Sequence, residues 1–158
     1  MKLLALAVLL SASFADSATG ESFRQPPSIR WDATTAQLQR ELRHQCPKMT
    51  TRKVDPPFLD AVKTEQLQID CDGFQFRGHG RHVEFVIKDG HLVMVWLMVR
   101  PEEEKAIVRD MKAALGEPSR TNANYVAFGR RRIAWRHNPA EILFYSRAVD
   151  GDVTPDFQ

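Results

Sequence analysis

The run from His82 to Pro118, HVEFVIKDGHLVMVWLMVRPEEEKAIVRDMKAALGEP, leaves a chain few ways to fold. Two apolar stretches flank Asp89-Gly90, and a helical pattern follows at once. Asp-Gly between such stretches is a strong hairpin signal, because a type I′ turn needs positive φ at both central positions. With Asp89 and Gly90 as the loop, Lys88 faces His91, Ile87 faces Leu92, Phe85 faces Met94 and Val83 faces Trp96. Side chains alternate along a strand. One face then collects Val83, Phe85, Ile87, Leu92, Met94, Trp96 and Met98 and is expected to be core. The other carries His82, Glu84 and Val86 against His91, Val93, Val95, Leu97 and Val99, which predicts a central second strand whose second face is partly covered.

The helix after it has both end signals. Pro101 suits a first helical position. Glu102, Glu103 and Glu104 favour the positive end of the dipole and read as a solvated helix start. Ile107, Val108, Met111, Ala114 and Leu115 form one stripe, Gly116 is a natural stop and Pro118 blocks continuation.

The 158 residues favour one domain, and neither composition nor charge points to a disordered or fibrous chain. Lys2, the apolar run Leu3 to Leu10 and the small residues Ser13 and Ala15 read as a cleavable leader, residues 1–15. That run falls short of the ~20 residues a bilayer span needs. No cysteine follows it for lipid attachment, so the expected product is periplasmic or secreted, with no membrane span. In an oxidising compartment the two cysteines, Cys46 and Cys71, read as one disulfide, with two free thiols as the alternative.

Residues 16–30 contain Pro26-Pro27 and read as an extended lead-in, with Trp31 as its anchor. The domain proper is expected over 31–149, and residues 150–158 as a frayed acidic tail. Residues 34–46 read as a first helix, with Thr34 and Gln37 spaced as a capping box. Residues 47–62 read as a proline-rich loop. In 66–76 the alternation slips at Asp72-Gly73, as a β-bulge would make it slip. Gly78-His79-Gly80 is the expected turn into the next strand. Three aromatic-rich strands follow the second helix, near 125–128, 132–136 and 141–146. The expected architecture is therefore α+β, in the order α-βββ-α-βββ. It is an antiparallel sheet of five to six strands with two helices packed on one face.

This order, with Ala114-Leu115-Gly116-Glu117-Pro118 ahead of Tyr125 and Trp135, resembles that of small exported α+β modules such as the beta-lactamase inhibitor protein and the small lipoproteins of outer-membrane assembly. The resemblance covers about a third of the chain. Without a lipidation cysteine, and with one candidate disulfide, it implies neither a bilayer anchor nor inhibition of a particular enzyme.

The chemistry-bearing patterns are sparse. No Gly-x-Ser-x-Gly elbow or phosphate-binding glycine loop occurs. His79-x-x-His82 with Glu84 needs a further ligand for a metal, and His91 lies six residues along the ladder from the residue facing His82. No metal or cofactor is therefore expected. Asp70 and Asp72 flank Cys71 on one strand face, where acid–base chemistry would need one of them buried. The formal charge is +2, but basic residues concentrate in 40–53 and 120–147. Arg130, Arg131 and Arg132 at a hairpin tip, with Arg136 and Arg120, form the expected binding cluster for a phosphate or carboxylate. The reading is a non-catalytic exported module that binds a protein or an anionic envelope component, not nucleic acid, through its sheet face or this arginine cluster. The alternative is a small enzyme or ligand carrier with a pocket between helices and sheet. A pocket lined by perturbed carboxylates or histidines would favour the alternative.

Overall fold

In the computed structural model Asp89 and Gly90 both take positive φ, 51° and 84°, and close the hairpin between β3 (His79–Lys88) and β4 (His91–Met98). The structure describes residues 23–157, with side chains as far as Val153. The expected leader and the first part of the lead-in lie outside the described residues. The Asp89 carboxylate accepts backbone hydrogen bonds from Lys63 (3.0 Å) and Thr64 (2.7 Å), so the hairpin tip also fixes the loop that enters β2 (Gln66–Phe76).

The register of this hairpin departs from the two-residue alternation. Lys88 and Ile87 pair with His91 and Leu92 as expected, but Val86 pairs with Met94, Phe85 with Val95 and Val83 with Leu97. The ladder shifts at Val93, and every later side chain of β4 changes face. Leu92, Val95 and Leu97 thus join Val83, Phe85 and Ile87 in the main core, while Met94 and Trp96 lie in the cluster on the opposite face. The expected core face of Met94, Trp96 and Met98 is corrected accordingly.

The sheet is larger than the expected five to six strands. Eight antiparallel strands form one sheet. The six expected strands are present. The additions are β1 (Lys48–Lys53), inside the stretch read as loop, and the two-residue β5 (Arg120–Thr121). They join β6 (Tyr125–Phe128), β7 (Ile133–Arg136) and β8 (Glu141–Tyr145). Both additions are edge strands, and an edge strand can be polar on both faces; KMTTRK and RT accordingly carry no apolar alternation. The order is two meanders, β1–β4 and β5–β8, joined back to back through β4 and β8. One helix precedes each: α1 (Thr35–Leu42), which has the expected capping box, and α2 (Glu104–Leu115). The predicted bulge at Asp72–Phe74 is present, but the β2–β3 turn is Arg77-Gly78, since Phe76 pairs with His79.

Both helices bury their stripes on one face, through Leu38 and Leu42 of α1 and Ile107 and Met111 of α2. A third helix, α3 (Asp150–Phe157), lies where a frayed tail was expected. Val149 and Val153 join Leu59 in a second, smaller cluster on the opposite face, which offsets the entropy of ordering the segment. Residues 23–30, the described part of the expected lead-in, pack on the domain, because Phe23 stacks on Phe144 at 6.2 Å and Ile29 is buried. The glutamates before α2 are not all solvated. Glu103 accepts from Nη1 and Nη2 of the buried Arg81, at 2.8 and 2.7 Å, and those bonds hold its pKa down at about 2.

Cys46 and Cys71 form the disulfide, with Cα atoms 5.3 Å apart. It joins the turn after α1 to the middle of β2. No helix among the described residues is long and apolar enough to cross a membrane.

Candidate functional site

The second sheet face is only half covered. Leu59, Val149 and Val153 cap Val86, Met94, Leu143 and Tyr145. From the covered Leu143 one row of paired neighbours runs outward through Trp96, Glu84 and Asp70. The next holds Asp72 with His82, and Met98, Glu141, Arg136 and Tyr125. Asp70, Asp72, His82, Glu84, Trp96, Met98 and Arg136 are each partly exposed, so this half faces solvent among the described residues.

Glu141 is the exception, because it is wholly buried. Arg136 Nη2 pairs with its Oε1, while Oε2 has no hydrogen-bond partner among the described residues. The Arg136 guanidinium lies 4.5 Å over the Trp96 ring, a cation–π contact that fixes its plane. Burial pushes the Glu141 pKa up from 4.5 to about 7 against the pull of Arg136, and the neighbouring Glu84 carboxylate adds to the rise. A native pKa above the unfolded value means that folding takes up a proton. The stability this contributes is full below about 4.5 and is lost as pH rises through about 7. Glu141→Gln cannot titrate. Between pH 5 and 8 the wild type should therefore lose ~1 kcal/mol or more relative to the variant in denaturation at constant salt. Equal losses would show that Glu141 is already ionised at pH 5.

On β3, across β4 from Glu141, His82 stands between two carboxylates. Nδ1 is 2.5 Å from Asp72 Oδ1 and Nε2 is 3.8 Å from Glu84 Oε1. The hydrogen bond to His82 holds the Asp72 pKa below its ordinary value. Asp70, His82 and Glu84 can each present a ligand atom, all within 4.8 Å of one another. Asp70, one strand over, is the neighbour that the sequence reading did not supply for the His82-Glu84 pair. His79 sits at the turn and His91 at the far end of β4, so neither joins it. Asp70 is engaged by Gln68 Nε2 (2.6 Å) and faces Arg52 Nε (3.4 Å), so the charges are balanced by side chains already in place.

The five arginines expected as one cluster separate. Arg132, at φ 54°, forms a bidentate pair with Asp150, 2.8 Å for each bond, and that pairing lowers the Asp150 pKa. Arg136 belongs to Glu141 and Trp96, and Arg120 lies on β5 at the sheet edge. Arg130 and Arg131 are exposed in a 3-10 turn, beside a cleft shared with Leu115 and Glu117. The hairpin tip is not purely a surface feature, because Arg132 ties it to α3. Arg132→Asn, which keeps a residue tolerant of positive φ, should cost ~1 kcal/mol through the lost pair. Arg130→Ser with Arg131→Ser should stay within about 0.5 kcal/mol of wild type. Thermal unfolding of the two variants checks this, and a larger loss from the Arg130/Arg131 variant would contradict the assignment.

Glu141 was absent from the sequence reading. The signal that could have found it is Arg136 and Glu141 flanking the Asn138-Pro139 turn at positions that pair across β7 and β8.

The fold and site define a small disulfide-bonded α+β domain, one sheet with helices on both faces, that leaves a polar and aromatic half-face open. Compared with known protein families, curated proteins and solved structures, the chain matches none.

Proposed function

We propose that the chain is an exported, non-catalytic binding module that docks a protein partner on the open half of its sheet, with a basic side chain of the partner entering beside Glu141. The observation that carries this is Glu141 itself. A buried carboxylate with one oxygen unpartnered is costly unless something completes it. Its surroundings suit a cationic group, because Glu84 on the same half-face acts on Glu141 as a second carboxylate, while Asp70 and Asp72 are already faced by Arg52, Lys48 and His82. Trp96 and Met98 supply a partly exposed apolar anchor of the kind that carries interface energy. The disulfide supports export, since such bridges persist in oxidising compartments. The enzyme reading has less behind it: among the described residues, the cleft at the end of the sheet is lined by no carboxylate or histidine.

The test immobilises the chain from Asp16 onward and offers one cell-envelope extract to wild type, to a Glu84→Gln/Trp96→Ser variant and to the Arg130→Ser/Arg131→Ser variant. A partner held by wild type and the arginine variant but lost from the sheet-face variant is expected. Retention should be stronger at pH 8 than at pH 6, where Glu141 is largely protonated. Loss from the arginine variant alone would move the binding surface to the hairpin tip and overturn the proposal.

A further inference from the structure

We propose that the cleft at the β2–β3 hairpin end binds a small amphipathic carboxylate, a carboxyl group on an apolar chain or ring. The cleft measures about 500 Å³, within the range of small-molecule sites. Phe23, Phe74, Phe76 and Pro26 contribute apolar walls, and the charged residues among the described lining, Arg24 and Arg77, are both cationic. Two further observations point to an acceptor-bearing ligand. The Ser28 hydroxyl and Arg77 Nη1 are both buried, both without a hydrogen-bond partner among the described residues, and both residues line this one cleft.

Arg77 also occupies a position where arginine is a poor choice. It is the first turn residue between β2 and β3 and takes φ 51°, a conformation that favours Gly, Asn or Asp. The fold holds it there through its side chain: Nη2 pairs with Asp110 of α2, and Arg109 Nε donates to the same carboxylate at 2.9 Å. Burial works to raise the Asp110 pKa, but the two arginines hold it below the ordinary value, so Asp110 stays a fixed anion behind the guanidinium. Arg77 is therefore oriented, with one edge engaged and Nη1 left over. Gln25 Nε2 donates to Ile29 O at 2.8 Å and folds the lead-in back beside Ser28. A carboxylate accepting from Arg77 and Ser28 would satisfy both donors, while the aromatic walls take its apolar body. The site is separate from the open sheet face and does not depend on it.

Calorimetric titration of the chain from Asp16 onward with decanoate, decanol and decylammonium tests the assignment. Saturable binding of decanoate at one site is expected, at least tenfold tighter than either comparator. Ser28→Ala should weaken it several-fold and Arg77→Gln at least tenfold, with Arg109 left to serve Asp110. If Arg77→Gln does not fold, Ser28→Ala decides. Absence of saturable decanoate binding, equal binding of the alcohol or the amine, or an unchanged affinity in Ser28→Ala would overturn it.

Discussion

Leu97→Ala should lower the unfolding free energy by about 2–5 kcal/mol, and Trp96→Ala by no more than about 2. Leu97 is fully buried, faces Val83 and lies in the main core beneath the helices. Removing it leaves a cavity that close-packed neighbours cannot fill. Trp96, one residue earlier, is partly exposed on the opposite face, where it meets Arg136. It gives up partial burial and a cation–π contact, worth ~0.5–1 kcal/mol at an exposed site. An uninterrupted two-residue alternation from Asp89-Gly90 would reverse this order, with Trp96 in the core and Leu97 outside. Urea denaturation of the two variants separates the registers, and a larger loss for Trp96→Ala would show that the shift at Val93 is wrong.

Cys46→Ala with Cys71→Ala should cost about 3 kcal/mol through loop closure alone. The bridge spans 25 positions, and β1 lies inside the loop it closes. The residues of β1 are almost all exposed, so little apolar burial holds that strand apart from its ladder with β2. Cys71 is itself fully buried beneath α1. Loss of the bridge should thus speed hydrogen exchange across Lys48–Lys53 more than across β3 or β4. Reduced wild-type protein should behave as the double variant does. A double variant within about 1 kcal/mol of wild type, with β1 still protected, would assign the bridge no structural role.

What the sequence made legible follows from which residues carry a physical signal. Asp89-Gly90 specifies a turn by backbone sterics, and Thr34 with Gln37 specifies a helix start by reciprocal hydrogen bonds; both are present. Asp72-Gly73 revealed its bulge because the apolar phase visibly slips there. The shift at Val93 gave no such mark. From Leu92 to Val99 both phases of β4 are apolar, so either register buries hydrocarbon and alternation alone does not choose. The edge strands β1 and β5 were hidden for the opposite reason, having no apolar phase at all. In the tail, the acidic residues masked Val149 and Val153, whose burial depends on the distant Leu59. At the site, Arg130 to Arg132 drew attention by adjacency, yet Arg132 is used by Asp150. Glu141 looked like an ordinary strand-start residue; only the pairing of β8 with β4 and β7 shows it to be buried and opposed by Arg136.

The most direct test of the proposed function asks which surface touches the partner. A photo-crosslinking amino acid placed at Met98 on the open half-face, at Arg130 on the hairpin tip, or at Lys105 on α2 would be irradiated in intact cells that export the chain. The account predicts a discrete adduct from Met98, suppressed by Glu84→Gln, and none from Lys105 or Arg130. An adduct from Arg130 or Lys105 with none from Met98 would contradict it.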